Sequence, residues 1–292
     1  KSLVRAMRRL NIAHTTTYSY SAPVAFGPHK MLLRPRVGHD IRIESSKLEV
    51  SPNAARLFWH RDAQGNSVAI ATFAGLGDHL RISSEVVVEH YEDDQTLVEL
   101  DIDALTYPFQ YDAMERAELF PYMQPVFTQA DEEVRAWVKS FWVGGQSPQT
   151  FELIDRINKT VHSQITYTVR EEFGVQRPFD TLCSGSGSCR DLATLFLEGC
   201  RHLGFAARFV SGYLYAPDLP DAAASTHAWA EVYLPGAGWC GFDPTTGNRV
   251  GSDHIAVAVA RHPETVPPVA GSFSGSAQST LQVDVKLIAL DS

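Results

Sequence analysis

Cysteine is scarce in this chain of 292 residues, and its four cysteines, Cys183, Cys189, Cys200 and Cys240, all fall within one short stretch. No two of them have the Cys-x-x-Cys spacing of a structural zinc site, and no secretory signal favours a disulfide framework. A zinc site built from Cys183, Cys189 and a histidine stays open. Because there are so few cysteines, each thiol is considered by itself, as either a reactive or a buried group.

Long apolar runs and an excess of basic charge are also absent. No stretch approaches the roughly 20 apolar residues that span a bilayer, so no membrane partner is expected. Acidic side chains (34) outnumber basic ones (25), and the net charge of −9 argues against nucleic-acid binding. The first eleven residues lack the apolar core of a signal peptide, and Met7 is the expected natural start. The expected location is therefore cytoplasmic, and the oligomeric state is open.

Motifs of several common enzyme classes are missing. The glycine pair at residues 185–187 is followed by no Gly-Lys-Ser/Thr and lacks the third glycine of a dinucleotide fingerprint. There is no Gly-x-Ser-x-Gly, no His-Glu-x-x-His and no zinc-deaminase pattern. These absences argue against P-loop, Rossmann, α/β-hydrolase and common metalloenzyme chemistry.

The pattern of apolar and polar residues changes twice along the chain. Residues 1–112 show short alternating strands, with turn chemistry at residues 62–66, and suggest a sandwich or small barrel. Residues 113–262 contain helical periodicity and then strands again. Pro, Gly and Ser are frequent in residues 266–279, and a last alternating strand follows. Strands, helices and strands in this order predict an α+β fold, with residues 263–292 as a linker and a strand that returns to the N-terminal unit.

Three helices and a hairpin are predicted in the middle unit. An i, i+3, i+4, i+7 apolar face predicts a helix over residues 131–142. A second helix is predicted to start at Ser147 and Pro148, an N-cap followed by proline. The third is predicted to begin near Cys189 and to stop at Gly204. Residues 228–234 and 239–242 flank a turn and predict a hairpin.

Cys189 combines position and surroundings that suit a nucleophile. The flexible stretch Gly-Ser-Gly-Ser before it delivers the thiol to the first turn of an amphipathic helix. The helix dipole favours an anion there, and cysteine pKa values at such positions fall to roughly 3.5–7.5. Arg190 adds a positive charge. The alternative interpretation, a small buried residue at a helix start, stays open.

His227 and Asp243 are the candidates to complete the site. Alternation sends His227, Trp229 and Glu231 to one face of a strand. A simple hairpin register puts Asp243 opposite Ala230, three residues from His227, and a twist or bulge is needed to close the gap. Asp243 is then placed to hold the imidazole in one tautomer.

Four motifs occur in an order that resembles the transglutaminase-like superfamily of bacteria. They are Cys189-Arg-Asp-Leu-Ala, Ala-Arg208-Phe-Val-Ser-Gly-Tyr, His227-Ala-Trp-Ala-Glu-Val-Tyr and Trp239-x-Gly-Phe-Asp243-Pro-Thr. His14-Thr-Thr-Thr-Tyr, Leu33-Arg-Pro and Asp62-x-x-Gly-Asn resemble the N-terminal region that accompanies this core. The resemblance implies a papain-like transglutaminase core preceded by a β-sandwich-type domain. It also implies a triad of Cys189, His227 and Asp243, acyl chemistry on amides, and neither a metal nor an organic cofactor.

One departure bears on the reaction. In animal cross-linking transglutaminases the cysteine is followed by Trp, whereas this chain has Arg190. The first expectation is a cysteine hydrolase, a peptidase or amidase that cleaves a peptide or protein substrate through a thioester. The alternatives are an acyltransferase that joins a carboxamide to an amine, and a catalytically silent binding module. A disulfide between Cys183 and Cys189 stays open.

Overall fold

The protein is described here by a computed structural model that covers residues 7–91, 99–128, 131–170, 172–216 and 224–290. Residues 1–6, which precede the expected start at Met7, lie outside the described residues. The N-terminal unit consists of antiparallel strands, in agreement with the alternation of its sequence. They are β1 (Met7–Phe26), β2 (His29–Met31), β3 (Ile41–Ser51), β4 (Arg56–Arg61), β5 (Ser67–Thr72) and β6 (Leu76–Tyr91).

These strands form two sheets that share an apolar core. In the first sheet β6 lies between β1 and β3, and in the second β5 lies between β2 and β4. Met31, Ala69 and Leu80 from the two sheets are buried together. The predicted turn at residues 62–66 joins β4 to β5, with Gly65 at a φ of 75° that favours glycine. The predicted sandwich-type unit is confirmed.

Five helices are present in the described part of the middle unit, none of them long and apolar enough to cross a membrane. The helix predicted near Cys189 is confirmed, and it begins at Cys189 itself. Two short helices were not predicted, although Asp112 caps one of them and Pro178 opens the other. The helices are α1 (Ala113–Met123), α2 (Asp131–Lys139), α3 (Thr150–Gln164), α4 (Pro178–Ser184) and α5 (Cys189–His202).

The predicted start of the second helix is wrong by a few residues. Helix α3 begins at Thr150, after Gln149, rather than at Ser147 and Pro148. The reason is a backbone pairing that the local sequence does not show. Pro148 O accepts a hydrogen bond from Tyr107 N (2.9 Å), and Thr150 N donates to Leu105 O (2.9 Å), so this segment is extended before it turns into helix.

An antiparallel sheet and a short parallel strand pair lie beside the helices. The strands are β7 (Thr166–Tyr167), β8 (Ser186–Gly187), β9 (Ala207–Tyr215), β10 (Ala224–Leu234), β11 (Gly238–Asp243), β12 (Asn248–Arg249) and β13 (His254–Ala260). The antiparallel sheet has the strand order β12-β11-β10-β9-β13, and the parallel pair, β7 and β8, precedes α5. Helix α5 packs against β9 and β10, with Phe196, Ala230 and Val232 buried in one apolar cluster.

The end of the chain returns to the N-terminal unit, as predicted. The last strands are β14 (Val269–Ala270), β15 (Phe273–Ser274) and β16 (Ser279–Leu290). β16 pairs with β1 along its whole length. The description of residues 266–279 as a linker needs correction, because β14 pairs with β2 and β15 pairs with β1. Backbone pairing, rather than the Pro/Gly/Ser composition, sets the path of this segment.

The N-terminal unit covers the outer edge of this five-stranded sheet. β13 is an edge strand, and Arg36 N donates to its Ala256 O (2.8 Å). Asn66 is fully buried, and its side-chain amide makes the two backbone hydrogen bonds that a neighbouring strand would make. Its Nδ2 donates to Val259 O (2.8 Å), and its Oδ1 accepts from Val259 N (2.9 Å). The motif Asp62-x-x-Gly-Asn therefore joins the two units, and an otherwise unpaired edge is closed.

Candidate active site

Cys189 occupies the first position of α5, and the residues around it fix the start of the helix. Ser188 and Asp191 form a capping box, in which each side chain satisfies a backbone N–H of the other. Gly187 is required by the close approach of Asp191, whose Cβ would lie 2.8 Å from a Cβ at that position. Cys189 is only partly buried. The loop therefore presents the thiol at the positive end of a helix, where it stays partly accessible.

Asp191 connects a preceding loop to the helix start that carries Cys189. It is completely buried and accepts hydrogen bonds from Arg170 Nη1 (2.9 Å) and Gln176 N (2.6 Å), besides those from Ser188. Arg190 donates to the backbone oxygen of Arg170 (3.2 Å), so its guanidinium anchors this loop. Sequence reasoning missed Arg170, because nothing in its local pattern marks a residue paired across 21 positions.

His227 and Asp243 lie together, but the predicted register between their strands was wrong by one residue. His227 Nε2 lies 2.9 Å from Asp243 Oδ2. Phe242, rather than Asp243, is opposite Ala230. Because side chains alternate, the predicted register puts Asp243 on the face away from His227, and the observed one puts both on the same face as diagonal neighbours. No twist or bulge is needed to join them.

The neighbours of His227 give it an unusual protonation behaviour. Burial disfavours the imidazolium, but hydrogen bonds to Asp243 and Cys189, together with their charges, outweigh burial and raise the pKa of His227 to about 10. Burial also opposes ionisation of Asp243, yet the hydrogen bonds and charges of two histidines hold the pKa of its carboxyl well below the usual range. The three predicted side chains are thus brought into one hydrogen-bonded chain in which His227 is the middle member.

The other described thiols have different surroundings. Cys200 and Cys240 are buried, and burial raises the pKa of both, that of Cys240 to about 11. Cys183 is exposed, and all four cysteines are free, so no disulfide joins Cys183 to Cys189 in this structure. Of the four, Cys189 is the one whose side chain raises the pKa of a histidine in the described part of the chain.

A second histidine, which sequence reasoning missed, also contacts Asp243. His254 Nε2 lies 3.1 Å from Asp243 Oδ2, the same oxygen that faces His227. Asp243 Oδ1 accepts from Thr245 N (2.9 Å), so both carboxylate oxygens are engaged. The sequence around His254 carries no local signal for this contact. It lies 27 residues beyond His227 and reaches the site through the pairing of β13 with β9.

His227, Asp243 and His254 place three potential metal-ligand atoms within 4.8 Å of one another. The chemistry of the donor set does not suit a cation. Gly251 N donates to His254 Nδ1 (3.3 Å), so the neutral ring carries its proton on Nε2, the atom that faces Asp243. A protonated nitrogen has no lone pair to offer a metal. The cluster is therefore a hydrogen-bond network. Among the described residues, Cys183 and Cys189 belong to no group of three potential metal ligands, so the zinc site considered above has no support there.

A cavity of about 520 Å³ lies between the N-terminal unit and the five-stranded sheet that contains β10 and β13. His254 and Trp229 line it, whereas Cys189 and His227 do not. The cavity therefore adjoins the carboxylate end of the hydrogen-bonded chain. On the side of Cys189 lies Tyr167, which is half exposed; burial and the charge of Cys189 raise the pKa of Tyr167.

Two family models and several known proteins are similar to this chain. A family model described as "Bacterial transglutaminase-like N-terminal region" matches residues 10–89, and one described as "Transglutaminase-like superfamily" matches residues 135–244. An uncharacterized protein of Mycobacterium leprae (strain TN) is 25% identical over 97% of this chain and 100% of its own length. One from Mycobacterium tuberculosis (strain H37Rv) is 26% identical over 96% of this chain and 92% of its own.

The fold is also found in a solved structure. A candidate cysteine protease from Cytophaga hutchinsonii has a TM-score of 0.73 at 20% sequence identity, over 98% of this chain and 92% of that one. The predicted α+β, papain-like fold is confirmed. At the level of the family, these likenesses support a cysteine hydrolase or acyltransferase. The chain belongs to the transglutaminase-like superfamily and carries the bacterial N-terminal region that goes with it.

Proposed function

We propose that the protein is a cysteine hydrolase that cleaves a peptide or isopeptide-type amide of a peptide or protein substrate. The observation that carries the proposal is that His227 Nε2 lies 2.9 Å from Asp243 Oδ2 while Cys189 also interacts with the same imidazole and raises its pKa. This is the arrangement of nucleophile, proton carrier and orienting carboxylate that thiol acyl transfer requires.

The first half-reaction uses all three side chains. An imidazolium beside Cys189 stabilises the thiolate, whose Sγ attacks the carbonyl carbon of the amide. The negative charge that develops on the carbonyl oxygen lies near the first backbone N–H groups of α5, which have no partner within the helix. His227 Nδ1–H then protonates the leaving nitrogen, the C–N bond breaks, and a thioester to Cys189 remains.

The second half-reaction regenerates the thiolate. The neutral His227 Nδ1 takes a proton from water, the water oxygen attacks the thioester carbon, and the C–S bond breaks. The acid product leaves, and the imidazolium–thiolate pair is restored. Water is the expected acceptor because Cys189 is only partly buried and a transferase must exclude water from its thioester.

A substrate-profiling screen with a labelled amine present tests the proposal. Wild type and Cys183→Ala, which removes an exposed thiol outside the site, are expected to release new termini from a peptide library with little amine adduct. Cys189→Ala is expected to release none. Dominant amine incorporation establishes the acyltransferase instead, and no product from any peptide despite a reactive Cys189 establishes a silent binding module.

A further inference from the structure

Asp243 accepts hydrogen bonds from other groups besides His227, the residue that it orients. Its Oδ2 accepts from His227 Nε2 (2.9 Å) and also faces His254 Nε2 (3.1 Å), and its Oδ1 accepts from Thr245 N. The ring centroids of the two histidines are 6.0 Å apart. A carboxylate with two donors on one oxygen and one on the other has a single orientation. His254 supplies the donor that stops Oδ2 from turning away from His227.

The direction of the hydrogen bond from His254 is set by its other nitrogen. Gly251 N–H points at Nδ1, which must accept, and Nε2 therefore carries the proton. His254 itself is 9% exposed, and Trp229 packs edge-on against its ring with the centroids 5.1 Å apart. The ring is thus fixed in tautomer, position and plane, which are the properties of a group that orients a neighbour.

The segment that carries His254 is held by residues of the N-terminal unit. Asp253, the preceding residue, forms an ion pair with Arg8 of β1. The strand that begins at His254 is bordered by Arg36 and Asn66, both from the N-terminal unit. The N-terminal unit therefore touches this segment on both sides of His254.

We propose that His254 is a positioning residue that holds Asp243 in register with His227, and that the N-terminal unit contributes to the active site by holding the segment that bears it. The proposal rests on the proposed function for its kinetic consequences. The geometric part does not, because the orientation of His227 against Cys189 bears on the rate at which this thiol is alkylated at acidic pH, whatever reaction the site catalyses.

Two substitutions separate positioning from packing. His254→Gln retains a side-chain N–H that reaches the same place, and His254→Leu keeps a similar volume but removes the donor. For His254→Leu we expect kcat to fall roughly 10–100-fold, as misplacement of a catalytic group does, with KM changed less than about twofold. For His254→Gln we expect most of kcat to be restored. Thermal unfolding of both variants confirms that they are folded.

The rate of Cys189 alkylation by iodoacetamide, measured from pH 5 to 9, is the readout that needs no substrate. His254→Leu is expected to slow alkylation near pH 6, while the exposed Cys183 of the same molecule reacts at its wild-type rate. Equal impairment of the Leu and Gln variants assigns His254 to packing and overturns the proposal, as does wild-type alkylation in His254→Leu. If wild type hydrolyses no amide, the proposed function fails, and the alkylation profiles still decide the role of His254.

Discussion

Replacing Asp243 by Asn tests whether a buried negative charge keeps His227 protonated beside Cys189. The substitution is nearly isosteric, but an amide has one acceptor oxygen where the carboxylate has two. With its oxygen toward Thr245 N, the amide NH2 faces two histidine N–H donors. With its oxygen toward the histidines, one donor, Thr245 N, loses its partner. Each buried unsatisfied donor costs about 1–3 kcal/mol, so the second orientation is preferred and the tautomer of His227 is kept.

The remaining effect is the loss of charge. Opposite charges about 4 Å apart attract by about 4 kcal/mol at the effective dielectric of about 20 that suits such sites, which equals about three pKa units. The pKa of His227, about 10 in the wild type, is therefore expected to fall substantially in Asp243→Asn. The imidazolium–thiolate pair loses up to about 10³-fold in population for the same reason.

Alkylation by iodoacetamide at pH 6 measures this population directly. We expect Cys189 of Asp243→Asn to react about 10²–10³-fold more slowly than in the wild type, because the imidazolium beside it is lost. Cys183 is the internal control, since it is exposed and outside the site. Equal Cys189 rates in variant and wild type at pH 6 refute the electrostatic reasoning.

Two further predictions concern stability. Asn66→Ala leaves the buried N–H and C=O of Val259 without their partners and is expected to lower the free energy of unfolding by about 2–6 kcal/mol, which urea denaturation measures; a loss below 1 kcal/mol contradicts the docking role. His14 is buried, and burial lowers its pKa from 6.5 to about 4. The unfolded protein therefore binds a proton at this residue more readily than the folded protein. Above pH 6.5 this difference has no effect on the free energy of unfolding, and as the pH falls toward 4 it lowers that free energy, by about 2 kcal/mol at pH 5. His14→Gln is therefore expected to lose about 2 kcal/mol less than the wild type between pH 8 and pH 5, and an identical pH dependence of the two proteins contradicts this assignment.

Much of the site could be predicted from the sequence because its signals are local. A flexible Gly/Ser stretch followed by amphipathic periodicity indicates a cysteine at a helix start, and α5 does begin at Cys189. Alternation along β10 placed His227 and Trp229 on one face, and their ring centroids lie 6.2 Å apart. The pairing of the last strand with β1 also followed from local alternation and from the need of a lone strand for a partner.

The resemblance to a family supplied what the spacing could not. Hairpin arithmetic put Asp243 one position away from its observed register, on the wrong face of the sheet, and linked it to His227 only by assuming a twist or bulge, whereas the order of the motifs linked the two residues without any assumption about register. A single residue of register reverses every side chain of a strand, and the sequence of a turn does not determine register to that accuracy.

The sequence by itself determined the class of the fold, the first residue of α5 and the identities of three side chains. The tertiary structure decided which oxygen of Asp243 faces His227, that His254 shares it, and that Arg170 and Arg190 tie a distant loop to the nucleophile. The physical reason is range. Helix caps and periodicity act between neighbours in the chain, whereas β13 reaches the site, and stays there, only through pairing with β9 and with the N-terminal unit.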